Sequence, residues 1–339
     1  MEKLQIRCST NNLADAPKIG THNGTFHCDE VLACSMLKLL PQYKDAIIIR
    51  TRDQSVLDTC DVVVDVGGKY DPKTHRYDHH MREFNESLST VMNQPGLEST
   101  VKLSSAGLIY CHFGHEVIKH MIPELNDEDM KKIFKKVYET FVQEIDGLDN
   151  GVPMFPEEPR FRLHTDLCSR IARLNPAWNT PNLTEEIQFE KAMTLVRGEF
   201  IECVESSSRI WLPARSLVKK AMQETFQVDS SGEILELTQS CPWKKHLLEL
   251  EEELNLEPVI KFVIFKDNNY RVQAVPSGIR GNFELRKLLP EKWGGLRNEE
   301  LSAVTGIPGC VFVHQGRFIG GNSTREGALA MARQALEID

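Results

Sequence analysis

The sequence predicts an α/β protein: a front domain with a mostly parallel sheet and flanking helices, followed by a smaller α+β domain. Three observations carry this expectation. The runs "AIIIRT" (46–51) and "CDVVVDVGG" (60–68) are continuous and β-branched, the pattern of strands buried on both faces. Helical apolar spacing in "VLACSMLKLL" separates them from a first short strand. From Val259 the pattern changes to two hairpins and a closing helix, and 339 residues suit about two domains of roughly 150 residues each.

Taken in order, "APKIGTH" reads as a short strand entering a loop, and a helix covers Asp29 to Leu40, stopped by Pro41. The two β-branched runs follow, so the front alternates strand, helix, strand, strand. The polar stretch from "HRYDHH" to Lys102 reads as a surface loop. Ser104 or Ser105 then caps a helix to about Met121, and Asn126 with Asp127, Glu128 and Asp129 opens another that runs to "DGLDNG". Residues 153–181 are irregular apart from a short helix near "TDLCSRIARL", and 184 to about 225 are helical with interruptions at Gly198 and Pro213. "VIKFVIFKDNNYRVQAVP" is a hairpin turning at Asp267 to Asn269, and "CVFVHQGRFIGG" a second one turning at Gln315-Gly316. A last helix follows from Thr324.

Composition excludes several classes. The longest apolar run, around Val259 to Phe265, is far shorter than the roughly 20 residues of a membrane span. Nine cysteines, odd in number and never in CxxC spacing, suggest neither a disulfide framework nor a thiolate zinc site, and a reducing intracellular compartment fits. A net charge of −9 argues against a surface coated in basic residues for duplex binding, while leaving room for a local basic groove. The start "MEKLQIRCSTNNLADAPK" has no apolar core of a secretory signal and makes a weak mitochondrial presequence.

Ionisable chemistry concentrates at the front, where eight of the 11 histidines lie within the first 120 residues. "THNGTFHCDE" holds His22, His27 and Asp29, and only a loop wrapping around something brings all three together. That loop follows a buried strand, at the end where open α/β sheets bind ligands. Asp65 closes "VVVD", where burial costs several kcal/mol unless the carboxylate is paired or bound to a cation. "RYDHH" adds Asp78, His79 and His80, and "EIDGLDNG" adds Asp146 and Asp149. Singly, each has a plain reading: His22 as a satisfied core residue, Asp65 as a turn former, Asp146 and Asp149 as a helix end. Glu30 reads as a favourable first-turn helix acid, with orienting a ligand or accepting a proton as the alternative. Together, four clusters at successive strand and helix ends point to one metal site. Carboxylates and imidazoles without thiolates suit manganese, magnesium or iron, and so many groups suit two ions.

The ordered set "IGTHNGTFHCDE", "VVVDVGGKYDP", "HRYDHH", "KLSSAGLIYCHFGH", "LDNG", "IARLNPAWN", "GIPGCVFVH" and "FIGGNSTREGA" resembles the Myg-type (melanocyte-proliferating-gene-like) 3′–5′ RNA exonucleases of the DHH phosphoesterase superfamily. The resemblance runs from Lys18 to the end. It implies two divalent ions, Mn²⁺ with Mg²⁺ as the substitute, held by His22, His27, Asp29, Asp65, His79 and either Asp146 or Asp149. It implies further that Asp65 bridges both ions, that His79 ligates one, and that His80 lies nearer the phosphate. The spacing here is His-x4-His-x-Asp where the superfamily has His-x3-Asp-x-Asp, so an imidazole replaces a carboxylate at His27.

In the tail, Gly320, Gly321 and Arg325 look like the Gly-Gly substrate loop of such proteins, ahead of a helix whose free N–H groups suit phosphate; Ser323 and Glu326 have capping-box spacing. Arg160, Arg162, Arg170 and Arg173 read equally as a nucleic-acid path or a solvated face, and Trp178, Trp211, Trp243 and Trp293 as packing residues. The resulting division is an extension at 1–17, a DHH-like metal-binding catalytic domain at 18–182, a helical connector at 183–225 and a substrate-binding α+β domain at 226–339. The expected activity is metal-dependent hydrolysis of RNA 3′ ends or short oligonucleotides by Asp65, His79 and His80 around a metal-activated water, with no membrane partner, in nucleus, mitochondrion or both by the resemblance, with the cytoplasm as the alternative. A pyrophosphatase, a short or cyclic oligonucleotide phosphodiesterase, and a non-catalytic scaffold are the alternatives.

Overall fold

The computed structural model describes residues 16–180, 184–278 and 284–338. The expected extension at 1–17 lies outside them except for its last two positions, as does the expected boundary at 182. The chain divides into two compact units, the first ending at Ser207 and the second starting at Ser208. The connector expected at 183–225 is divided between the two. Its first half is a helix packed on the first unit, and its second half a helix packed on the sheet of the second.

In the first unit, β1 (Lys18–Thr21), β2 (Ile47–Arg50), β3 (Val62–Val64), β4 (Tyr70–Asp71) and β5 (Arg76–Tyr77) form a sheet in the order β2-β1-β3-β5-β4. All neighbours are parallel except β4 with β5. The register aligns Ile19 with Val62 and Val63 with Arg76, so β1, β3 and β5 end along one edge. The helices are α1 (Cys28–Leu37), α2 (Gln54–Leu57), α3 (Leu88–Met92), α4 (Ser105–Met121), α5 (Asp127–Val137), α6 (Gln143–Asp149), α7 (Leu167–Ala172) and α8 (Glu185–Ser206). A π-helical turn, Tyr138–Val142, joins α5 to α6.

Every residue of α1 is buried, because α4 and α8 pack on it and strand β1 leads into it. Two short helices depart from the sequence reading. Asp53 accepts the Ser55 N–H and starts α2, which carries the chain from β2 to the parallel β3; a parallel pair needs such a crossover. Ser87 and Thr90 cap each other's N–H groups and start α3 inside the expected loop. Gly198 does not interrupt α8, since a glycine costs a helix interior only about 1 kcal/mol and the packed face of α8 supplies more.

The second unit contains α9 (Leu212–Gln223), α10 (Thr225–Val228), β6 (Ile234–Leu237), α11 (Lys244–Leu254), β7 (Phe262–Lys266), β8 (Tyr270–Ala274), α12 (Asn298–Thr305), β9 (Cys310–Val313), β10 (Ile319–Asn322) and α13 (Arg325–Glu337). Its sheet runs β6-β7-β8-β10-β9, with β6 and β7 parallel and the rest antiparallel. Alternation divides the strands between two cores: Ile234, Phe262 and Ile264 pack with Trp293 and Ala332, whereas Leu235, Val263 and Phe265 pack with Val218 and Leu247. Both expected hairpins form. Pro213 sits in the first turn of α9, where a missing N–H costs nothing. Among the described residues no helix is long and apolar enough to cross a membrane.

Candidate metal centre

Three parallel strands deliver the site. β1 ends into His22, β3 into Asp65, and β5 into Asp78, His79 and His80, all on the edge where their carboxyl ends line up. Asp65 has φ 60°, a left-handed conformation that favours Gly, Asn or Asp and that turns the chain sharply at the strand end. α1 contributes Asp29 and Glu30 from its first turn, and α6 contributes Asp149 from its last residue.

The carboxylates converge on imidazoles. His22 Nε2 lies 3.1 Å from Glu30 and 3.3 Å from Asp65 Oδ2. On its other side Asp65 presents Oδ1 to His79 Nε2 at 3.2 Å and to His80 Nδ1 at 3.5 Å. Asp149 and Asp29 also crowd His79 Nε2, at 3.3 and 3.8 Å. Three overlapping groups have ligand atoms mutually within 4.8 Å: His22, His27, Glu30 and Asp65; Asp65, His79 and His80; His27, Asp29 and Asp149. Asp65 belongs to two of them, with a different imidazole at each oxygen.

Charge in this site is out of balance. Asp29 and Glu30 are wholly buried and Asp65 nearly so, yet among the described residues no lysine or arginine pairs with them. Burial, and then the neighbouring Asp65 and Asp149 charges, push Asp29 well above the usual carboxylate range. Burial would lower His22, but its hydrogen bonds to Asp65 and Glu30 outweigh that and raise it to about 10. Burial works against Asp65 ionising, and His22 and His79 reverse the effect to hold it low. Asp29 Oδ1 and both ring nitrogens of His79 are buried without a hydrogen bond, and buried polar atoms are seldom left so. A cluster this negative, with orphaned acceptors and hard donors only, fits divalent cations.

Asp146 is removed from the ligand candidates. It accepts from Ser104 N and Oγ and Gly107 N on Oδ1 and from Tyr138 OH on Oδ2, so it caps α4 from the side, and it belongs to none of the three ligand groups. Burial pushes it up to about 7 despite those donors. Asp149, one helical turn later, is the member that reaches the site. Asp78 is not a ligand candidate either: it accepts from Gly68 N at 2.6 Å and holds His80 Nδ1 at 2.8 Å.

Several contributors escaped the sequence reading. Glu30 is a full member of the site, since α1 is buried on every side and not only on one. Ser105 donates its N–H to Asp29 and its hydroxyl to Asp65, pointing the start of α4 at the acids. Its signal was visible only as a helix cap.

In the second unit, Gly320 and Gly321 lie within β10 and not in a loop. A Cβ on Gly320 would come within 3.0 Å of Val313 and 3.1 Å of Leu289, so packing requires that glycine. Gly321 faces Asn269 and Arg271, whose guanidinium stacks on Phe312. Arg325 is not a free cation: it holds Glu236 with Nε at 2.6 Å and with Nη2. Thr324, and not Ser323, caps α13 by accepting the Gly327 N–H. Of the four arginines, Arg170 pairs with Glu199 and Arg173 donates to the His164 carbonyl, which leaves Arg160 and Arg162 exposed. Trp211, Trp243 and Trp293 are buried as expected, but Trp178 is 96% exposed.

Comparison with known proteins places this site in a family. A family model described as "Uncharacterised protein family (UPF0160)" and labelled as a MYG1 exonuclease family matches residues 18–336. The chain belongs to the MYG1 family. It is 52% identical over 333 residues to the human MYG1 exonuclease, covering 97% of this chain and 88% of that protein. The Caenorhabditis elegans MYG1 protein is 44% identical, with 94% and 95% covered, and the Saccharomyces cerevisiae MYG1 protein 40% identical, also with 94% and 95% covered.

Proposed function

We infer that this chain is a metal-dependent phosphodiester hydrolase of the DHH type that trims RNA from its 3′ end. One observation carries the reading: the carboxyl edge of the first sheet gathers Asp29, Glu30, Asp65 and Asp149 around His22, His27 and His79 and, among the described residues, no lysine or arginine pairs with Asp29, Glu30 or Asp65. The human relative's name, MYG1 exonuclease, supports a nucleic-acid substrate. His22, His27, Glu30 and Asp65 would hold one Mn²⁺ or Mg²⁺, and Asp29, Asp65, His79 and Asp149 a second. Bound there, such ions lower the pKa of a water and neutralise phosphate oxygens.

The chain's own residues supply the rest. His80 is an exposed member of the cluster, with a side chain 62% accessible, and Asp78 holds its Nδ1 at 2.8 Å. The bond to Asp78 raises His80 and so favours its charged form, which can donate to a phosphate oxygen. No serine, threonine or cysteine nucleophile is required.

End-labelled RNA, the matching DNA, a dinucleotide and pyrophosphate, each with Mn²⁺, Mg²⁺ or EDTA, test the reading. Stepwise shortening of RNA from the 3′ end with metal, and none in EDTA, is expected. Faster turnover of pyrophosphate or of the dinucleotide would replace RNA as the substrate, and full activity in excess EDTA would overturn the metal reading.

A further inference from the structure

The loop between His22 and His27 makes no ladder with any strand. Its backbone groups are met instead by side chains 26 to 161 residues away. Phe26 donates its N–H to Asn175 Oδ1 at 2.9 Å and accepts from Asn175 Nδ2 at 2.8 Å, so one carboxamide closes both of its main-chain bonds. Gly24 donates to Glu185 Oε2 at 3.0 Å and accepts from Arg50 Nη2 at 2.6 Å. Glu185 and Arg50 in turn face each other at 3.4 Å. Phe26 is wholly buried edge-on to Phe189, and the Arg50 guanidinium lies over both rings.

We propose that Asn175 is a positioning residue for the metal centre: by clamping Phe26 it fixes where His27 and the start of α1 stand, and so sets the affinity of the site for its cation. The physical ground is that buried main-chain groups must find partners. Here the partners decide the loop's shape, because the loop has none of its own. His27, exposed and one residue beyond the clamp, belongs to two of the three ligand groups, and Glu30 takes its N–H at 2.9 Å. Groups that orient a metal ligand without touching the metal commonly change affinity by roughly ten- to a hundredfold.

This rests on the reading of the front site as a metal centre, and the two are separable. Mn²⁺ is titrated calorimetrically into the metal-free full chain, wild type and variants, well below their melting temperatures, with circular-dichroism melts on the same samples. Asn175→Ala is expected to stay folded and to bind Mn²⁺ about ten- to a hundredfold more weakly. Asn175→Asp should fare no better despite its equal size, since a carboxylate oxygen would then face the Phe26 carbonyl in place of a donor. Wild-type affinity in both variants, whatever their melting temperatures, overturns the proposal while the metal reading stands. If Asn175→Ala does not fold, Asn175→Asp decides alone, and wild-type affinity there is equally fatal. A wild-type chain that takes up no Mn²⁺ ends the metal reading itself.

Discussion

In the second unit, acids drawn inward meet a guanidinium: Glu251 takes both forks of Arg286, at 2.9 and 2.7 Å, while Glu236 takes Arg325 and Asp229 takes Arg333. In the first unit, Asp29, Glu30 and Asp65 are buried as deeply as Glu251 or more so, yet among the described residues they meet imidazoles, a serine and main-chain N–H groups and no guanidinium. The same cost of burial is thus handled in two ways. An acid paired within the chain is architecture, and a cluster left negative is a demand for something from outside.

The contrast is broken most severely at Asp65. Asp65→Asn should lower hydrolysis by about a thousandfold or more, as when one member of a catalytic unit is lost. The melting temperature of the metal-free form should hold or rise, because one of several mutually repelling acids is gone. A melting temperature that falls in step with activity would make Asp65 a structural residue. Arg286→Ala should do the opposite, costing about 3–5 kcal/mol of stability by stranding Glu251, with Mn²⁺ affinity of the folded protein unchanged. Denaturant melts and metal titration on that one variant check both halves.

Protons sharpen the comparison. His22 has its folded value raised from 6.5 to about 10, so its contribution to the metal-free fold is complete below pH 6.5 and disappears as pH rises through about 10. Asp29, also raised, works in the same direction. The metal-free protein should therefore melt lower at pH 9.5 than at pH 7. Saturating Mn²⁺ should flatten that dependence while releasing protons at pH 7.5, measurable by calorimetry in buffers of different ionisation enthalpy. Flat behaviour without metal would count against a protonated His22. The smallest effect belongs to Arg325→Ala: its pair with Glu236 is partly exposed, with side chains 41% and 22% accessible, so the loss should stay within about 1 kcal/mol. A larger drop in melting temperature would mean the pair anchors α13 to the sheet.

What the sequence made legible follows from range. Buried strands and the acids at their ends are local patterns, so β2, β3, Asp65, His79 and the hairpins could be read directly. Glu30 was misjudged because a first-turn acid is ordinary on a helix with one wet face, and nothing local says that α1 has none. Asp146 and Asp149 could not be separated, since their difference lies in what α4 presents to them. Asn175, Arg50 and Glu185 left no mark at all, because their partners are main-chain atoms more than twenty to more than a hundred residues away and a main chain carries no sequence signal.

The left-handed backbone at Asp65 narrows the routes by which this site can be lost. Most replacements there meet two penalties at once, a steric one from a Cβ held at φ 60° and a chemical one from the missing carboxylate. Glycine relieves only the first. Asparagine tolerates the conformation and nearly matches the shape, so it alone disarms the chemistry while leaving the fold indifferent. A copy of this protein that had become a scaffold would be expected to carry Asn or Gly at this position, whereas a copy carrying a bulkier residue would have to rebuild the end of β3 first.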